Sequence, residues 1–308
     1  TRDVTGYWSH RSIQGLPYMR MAKEMGLFPK KEGWRNVQQH ELVEAEVADV
    51  LGEATGCSEK DREDLFTAGL VHDVGKRLQI SLIKQKGDEG QLEAFRIQSQ
   101  KMAEYGVSPR AIALTESVGH TSLVKFLQDP TAPDLKLRDD LDLPALIIHY
   151  ADDITRNNDL VTIDERIDAL ENRQPPYPEA TLGGDIFGGK TYYQVQRIVG
   201  HLVENKLAEI IEIEPSKMLE FIRSRIRERI RLPREMEQVT VTSLRAVFDN
   251  HQQLGETGKQ VLRKNRFGQD TLEADWQAEE TVLQHLRALR LPIRVISEEH
   301  GIVDIGQE

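Results

Sequence analysis

Apolar residues recur at helical spacing through roughly the first half of the chain. His40, Val43, Val47, Val50 and Leu51 share one face and predict a helix with His40 near its start. Ser58, followed by Glu59-Lys60-Asp61-Arg62, reads as the cap of the next helix, with an acidic first turn. That helix carries Leu65, Ala68, Gly69 and His72 on one face and is expected to end near Gly75. The same periodicity predicts helices at 91–105, stopped near Gly106, at 109–128 and at 143–157. No strand-like alternation of any length precedes residue 190, so the expectation is an all-α domain.

Residues 172–190 are rich in Pro and Gly and break the pattern. Helices are predicted at 191–210 and 215–231, the second stopped by Pro233. From Leu244 the pattern is helix, turn and helix (274–289), then a short strand-like run Ile293-Arg294-Val295-Ile296. The predicted fold is mainly α: an all-helical domain at 1–175, a Pro/Gly-rich linker with a basic helical connector at 176–240, and a small α+β segment at 241–308. No internal repeat or low-complexity tract interrupts it.

Composition narrows the function classes. The chain has 308 residues, 39% apolar and 30% charged, enough for real cores under a well-solvated surface. No stretch reaches the roughly 20 apolar residues of a membrane span, so no membrane partner is expected. The longest run, Leu143 to Ala151, is interrupted by His149 and fits a buried helix. A net charge of -11 argues against a general nucleic-acid binder. The lone Cys57 excludes an internal disulfide and suits a reducing cytoplasm, the expected location. The chain begins at Thr1 rather than Met, without a signal-peptide pattern, and an upstream segment is expected. The arginine-dense stretch from Arg223 to Arg231 surrounds an Ile222, Ile226, Ile230 stripe. It reads as a solvated face packing by its seam, with an acidic partner or RNA as the minor alternative.

The candidate chemistry lies around His72-Asp73. Histidine nitrogens and aspartate oxygens together suit Fe, Mn, Co, Ni, Zn or Mg. Adjacent residues cannot point one way along a regular helix, so the pair calls for a helix end, with Gly75 supplying the irregularity. Lys76 then puts a cation where a metal-bound phosphate oxygen would need one; its bland alternative is a helix C-terminal cation facing the dipole.

The run Val71-His72-Asp73-Val74-Gly75-Lys76, preceded by His40 and followed by Asp152 in His149-Tyr150-Ala151-Asp152-Asp153, resembles the signature of the HD superfamily of metal-dependent phosphohydrolases. The resemblance covers residues 36–160. It implies a helical fold holding one divalent metal through His40, His72, Asp73 and Asp152, the alanine before Asp152 favouring it over Asp153. It also implies attack on phosphorus by a metal-bound water, with Asp73 ligating and orienting the water and Lys76 neutralising developing charge. The expected substrate is a small phosphate ester or anhydride, a nucleotide first. His120, in Glu116-Ser117-Val118-Gly119-His120-Thr121, resembles the I-x-x-H-T element of HD hydrolases that cleave dinucleoside polyphosphates. His149 is placed three residues before Asp152, and Arg156 one helical turn after it. These three are the candidate substrate contacts, Arg156 having an equal alternative as a surface partner of Asp152 or Asp153. No histidine occurs from 74 to 119, a departure from dinuclear members that favours one metal, and no G-Y-P motif marks the cyclic-dinucleotide branch.

Residues 244–308 resemble a different family. Phe267-Gly268-Gln269-Asp270-Thr271-Leu272-Glu273-Ala274-Asp275, Glu279-Glu280 and Ser297-Glu298-Glu299-His300-Gly301 look like the opening segment of the inositol monophosphatase and fructose bisphosphatase superfamily. The resemblance implies that Thr271, Asp275 and Glu298 line a Mg site, which lacks its later D-P-L-D-G-T loop here. The segment is expected to be either part of a longer two-phosphatase fusion or a remnant kept for packing or dimerisation; an ordinary helix-helix-strand appendage is the plain alternative. Two rival functions follow: a non-catalytic nucleotide-binding HD regulator, and a bisphosphatase-type sugar or inositol phosphatase with a regulatory HD part.

Overall fold

The computed structural model describes residues 16–26, 35–118, 120–174, 176, 184–265, 268–289 and 293–305. The chain forms two compact units, Thr1–Glu228 and Arg229–Glu308. Both fit the expected mainly-α class with a small α+β segment. Among the described residues no helix is long and apolar enough to cross a membrane.

The first unit is built on helices α1 (Leu16–Glu24), α2 (Arg35–Ala54), α3 (Glu59–Val71), α4 (Lys76–Lys86), α5 (Asp88–Glu104), α6 (Pro109–Thr115), α7 (His120–Phe126), α8 (Leu143–Asp153), α9 (Ile163–Glu171) and α10 (Tyr192–Ile211). Helix α2 is buried on every side from Val43 to Gly52. Its interior therefore includes Glu44, Glu46 and Asp49 as well as Val43, Val47 and Leu51. Asp49 is answered by Arg62 of α3 through two N–H donors, at 3.0 and 3.3 Å. Helix α3 is capped by Ser58, whose hydroxyl accepts the Asp61 N–H. It approaches α2 closely because Gly69 faces Ala45: a Cβ at Gly69 would sit 2.6 Å from the Ala45 Cα.

Helix α8 is apolar almost all round, with Leu146, Ile147, Ile148, Tyr150 and Ala151 buried. It packs against α2, α3 and α10. The helix ends at Asp153, short of the expected residue 157. Asn157 adopts φ 54°, a left-handed conformation its short polar side chain tolerates, and turns the chain into a hairpin of β1 (Thr155–Arg156) and β2 (Asp159–Leu160). The expected 109–128 helix is likewise split into α6 and α7 by a turn after Thr115.

The arginine-rich segment lies in α11 (Met218–Leu254), which runs on through Pro233 instead of stopping there. Proline removes a single N–H from the helical ladder, and amphipathic spacing on both sides, Ile222 and Ile226 before it and Val239 after it, sustains the helix. Two of its arginines find nearby acids: Arg225 pairs with Glu228 and Arg227 with Glu220. Arg223 donates to the Leu160 carbonyl.

The second unit contains the rest of α11, a hairpin of β3 (Val261–Lys264) and β4 (Asp270–Leu272), helix α12 (Glu273–Ala288), and a hairpin of β5 (Ile293–Ser297) and β6 (Gly301–Ile305). Val239, Leu283, Leu286 and Ile305 form its small core. The expected strand at 293–296 is β5, paired with β6 in register Ile293↔Ile305 to Ser297↔Gly301. The β3–β4 hairpin was not expected, since Val261 and Leu262 are both exposed and leave no alternation to read.

Candidate metal centre

Four donors from three helices converge inside the first unit. His40 and Glu44 lie one turn apart on α2, His72 follows the last residue of α3, and Asp152 is the penultimate residue of α8. One donor atom from each can be chosen so that all lie within 4.8 Å of one another. The Nε2 of His40 is 3.4 Å from Glu44 Oε2 and 3.0 Å from Asp152 Oδ1, and the Nε2 of His72 is 3.1 Å from Glu44 Oε2. Three of the expected ligands thus come together, and Glu44 takes the fourth place. Asp73 stands alongside, its Oδ2 3.8 Å from His72 Nε2 and its Oδ1 3.5 Å from Lys76 Nζ.

The donor atoms are under-satisfied. Both Glu44 carboxylate oxygens and His72 Nε2 are buried without a hydrogen-bond partner, the 3.1 Å approach between them lacking hydrogen-bond geometry. A buried carboxylate in that condition costs free energy unless a cation answers it. On the other ring nitrogen, His72 Nδ1 is 3.0 Å from the Gly69 carbonyl oxygen. A carbonyl only accepts, so Nδ1 carries the proton, and the neutral ring turns a lone pair on Nε2 toward the cluster. The donor set therefore fits a divalent ion on its chemistry as well as its geometry.

Electrostatics follow from burial. Burial pushes the Glu44 carboxyl well above its ordinary range, with Asp152, Asp73 and Glu41 adding to the effect. Glu41 is raised for the same reasons, burial first and then Asp73, whose backbone N–H it accepts. Burial also lowers the His72 pKa, which keeps the imidazole neutral. Asp152 and Asp73 go the other way. Burial would raise both, but His40 and Arg166 outweigh it at Asp152, and Lys76, His72 and His40 outweigh it at Asp73.

The turn between α3 and α4 is held from outside. Gln98 of α5 donates to the His72 carbonyl oxygen at 2.7 Å. Gly75 has φ −92°, which any residue can adopt, so the glycine is not required for an unusual backbone conformation as expected. A Cβ there would instead meet the Gln98 carboxamide, so a side chain at this position would have to displace the group that donates to the His72 carbonyl. Lys76 opens α4 rather than closing a helix. A cation at a helix N-terminus opposes the dipole, which removes the bland explanation and leaves its pairing with Asp73.

The expected substrate contacts are dispersed. His149 is buried and turns to its i+4 neighbour Asp153, with Nε2 3.4 Å from Oδ2, while Nδ1 lies 3.1 Å from the Ser117 carbonyl oxygen. Asp153 also accepts from Gln196 of α10 at 2.7 Å, so the two adjacent aspartates divide: Asp152 joins the cluster and Asp153 anchors α10. Arg156 is exposed on β1, no longer in helical phase with Asp152. The arginine that does reach Asp152 is Arg166 of α9, with Nη2 3.6 Å from Oδ1. His120 opens α7, and its side chain lies outside the described residues.

In the second unit Thr271 lies on β4, Asp275 on α12 and Glu298 in the β5–β6 turn. Thr271 donates to Glu299, Glu298 accepts from Asn265 at 3.3 Å, and Asp275 is exposed. Glu279 accepts the Ser297 hydroxyl and the N–H groups of Glu298 and Glu299, fixing the β5–β6 turn to α12. His300 stacks on Trp276, whose ring also carries the Arg263 guanidinium. Phe267 lies outside the described residues. Among the described residues the His40 cluster is the one group of its kind.

Compared with known proteins, the chain matches no family model, no curated protein and no solved structure. Glu44 and Arg166 escaped sequence reasoning, although Glu44 had a signal: it is the acid at i+4 from His40, on a helix face otherwise occupied by Val43, Val47 and Leu51.

Proposed function

We propose that this protein is an HD-type metal-dependent phosphohydrolase that cleaves a phosphate ester or anhydride, with nucleotides the first substrate class to test. The observation that carries the reading is the set of partnerless buried donors, Glu44 Oε1 and Oε2 and His72 Nε2, gathered with His40 and Asp152. Imidazole nitrogens with carboxylate oxygens suit Fe, Mn, Co, Ni, Zn or Mg, and one ion suits a cluster of four donors. When bound, such an ion supplies Lewis acidity and lowers the pKa of a coordinated water.

The chain's own residues supply the rest of the chemistry. His40, Glu44 and His72, all buried, and the more exposed Asp152 would hold the ion. Asp73, kept ionised chiefly by Lys76, would orient an attacking water and accept its proton. Lys76, 3.5 Å from Asp73, can neutralise charge that develops on the phosphoryl oxygens. Gln98 positions this machinery through the His72 carbonyl without touching substrate.

The test joins metal analysis to a hydrolysis panel of nucleotides and phosphomonoesters. Wild type purified without chelators should carry a stoichiometric divalent metal, and His72→Ala should lose it. Asp73→Asn should keep metal and lose hydrolysis. A metal-free wild type would sink the proposal, and hydrolysis that survives Asp73→Asn would place the activity elsewhere. Metal with nucleotide binding but no turnover would replace the enzyme by a regulatory domain.

A further inference from the structure

The cluster has a floor and a rim. The side chains of His40, Glu44 and His72 are at most 8% exposed. Those of Asp73, Lys76, Asp152 and Arg166 are 18–28% exposed, so solvent reaches the cluster past these four. Each rim carboxylate holds one cation at a loose distance: Lys76 on Asp73 at 3.5 Å and Arg166 on Asp152 at 3.6 Å. Two aspartate–cation pairs, contributed by the α3–α4 turn, α4, α8 and α9, thus form the exposed edge of the cluster.

Arg166 is well placed to do more than balance a charge. Its helix is fixed by a Thr162–Glu165 capping box and by buried Ile163 and Ile167. Among the described residues its one side-chain partner is Asp152, reached through a single Nη2. A guanidinium carries five N–H donors in a planar fork, and most of this one's are uncommitted. The Oδ1 atom that faces Arg166 is also the atom of Asp152 that faces His40 within the cluster. A carboxylate whose charge is taken by a metal ion holds its guanidinium less strongly, which frees that fork for an incoming anion.

We propose that Arg166, together with Lys76, forms an anion subsite at the rim that receives a phosphoryl group with three terminal oxygens, as in a phosphomonoester or a nucleotide's terminal phosphate. Three oxygens can meet an ion, an ammonium and a guanidinium at once, whereas a phosphodiester offers only two unbridged oxygens for three cationic groups. The inference rests on the phosphohydrolase reading and adds to it the residue and the substrate class. Arg166 takes the role first expected of Arg156.

Titration calorimetry with inorganic phosphate and with dimethyl phosphate on metal-loaded protein tests this. Wild type should bind inorganic phosphate in preference to dimethyl phosphate. Arg166→Gln should lose about tenfold or more in phosphate affinity while keeping its metal, and Arg166→Lys should recover part of the loss. Unchanged phosphate affinity in Arg166→Gln, or equal affinity of the wild type for the diester, would overturn the assignment. Loss of metal in step with phosphate would overturn it too, making Arg166 a positioning residue for Asp152. A wild type that takes up no metal would instead bring down the phosphohydrolase reading itself, so the two failures are separable.

Discussion

The two units of this chain both carry acids beside residues that a sequence resemblance marks for a divalent ion, and they treat those acids' oxygens in opposite ways. In the second unit Glu279 accepts a hydroxyl and two backbone N–H groups, Glu298 accepts from Asn265, and Glu299 accepts from Thr271. These carboxylates tie the β5–β6 turn to α12, to Asn265 and to β4. In the first unit Glu44 is buried on the central helix with neither oxygen hydrogen-bonded. The Asp49–Arg62 pair one turn further along shows how the same helix satisfies an acid that has a purely structural task. Motif resemblance alone does not separate the two units; the accounting of donors and acceptors does.

The contrast can be broken most severely at the ligands. His72→Ala or Glu44→Gln should weaken metal binding by more than about 100-fold, beyond the loss expected for an outer partner. Asp275→Asn and Glu298→Gln should leave it unchanged. Competition with a chromogenic chelator reads both; a metal deficit caused by the second pair would erase the distinction between the units.

Packing gives the next contrast. Gly69→Ala would drive a methyl into the Ala45 backbone and should destabilise the protein by about 1–3 kcal/mol in denaturant unfolding, despite alanine's better helix propensity. At Gly258 an added Cβ meets only side-chain carbons, the nearest at 3.3 Å, and Gly258→Ala should cost less than about 1 kcal/mol.

Smaller effects sharpen the account within the first unit. Gln98→Leu removes the donor to the His72 carbonyl and should weaken metal binding by about tenfold, measured as chelator competition at a temperature where the variant is folded. Thr162→Ala removes half of the α9 capping box and should cost about 1 kcal/mol in unfolding free energy, with metal content unchanged.

Much of the helical layout was legible because burial imposes a period. The buried face of α3 follows its apolar spacing, α8 reads as a buried helix from its long apolar run, and the Ser58 cap reads directly. The errors fall where one residue's local chemistry met a wider context. Pro233 marks a stop only if nothing beyond it holds the helix, and Val239 does. Asn157 ends α8 through a left-handed turn that periodicity does not encode. At the site, His40, His72 and Asp152 were readable through the resemblance to the HD signature. Glu44 was hidden because a glutamate on a helix reads as solvated until all sides of that helix prove buried. Arg166 was hidden because its contact to Asp152 depends on the β1–β2 hairpin turning α9 back toward the cluster.

The central claim is that Glu44, with His40, His72 and Asp152, encloses a divalent ion while Asp73 stands beside it. Metal stoichiometry and affinity measured side by side for wild type, Glu44→Gln and Asp73→Asn test it most directly. The account predicts a loaded wild type, a Glu44→Gln variant that has lost its metal and an Asp73→Asn variant that keeps it. A metal-free wild type, or a Glu44→Gln variant that holds metal as tightly as wild type, would contradict it.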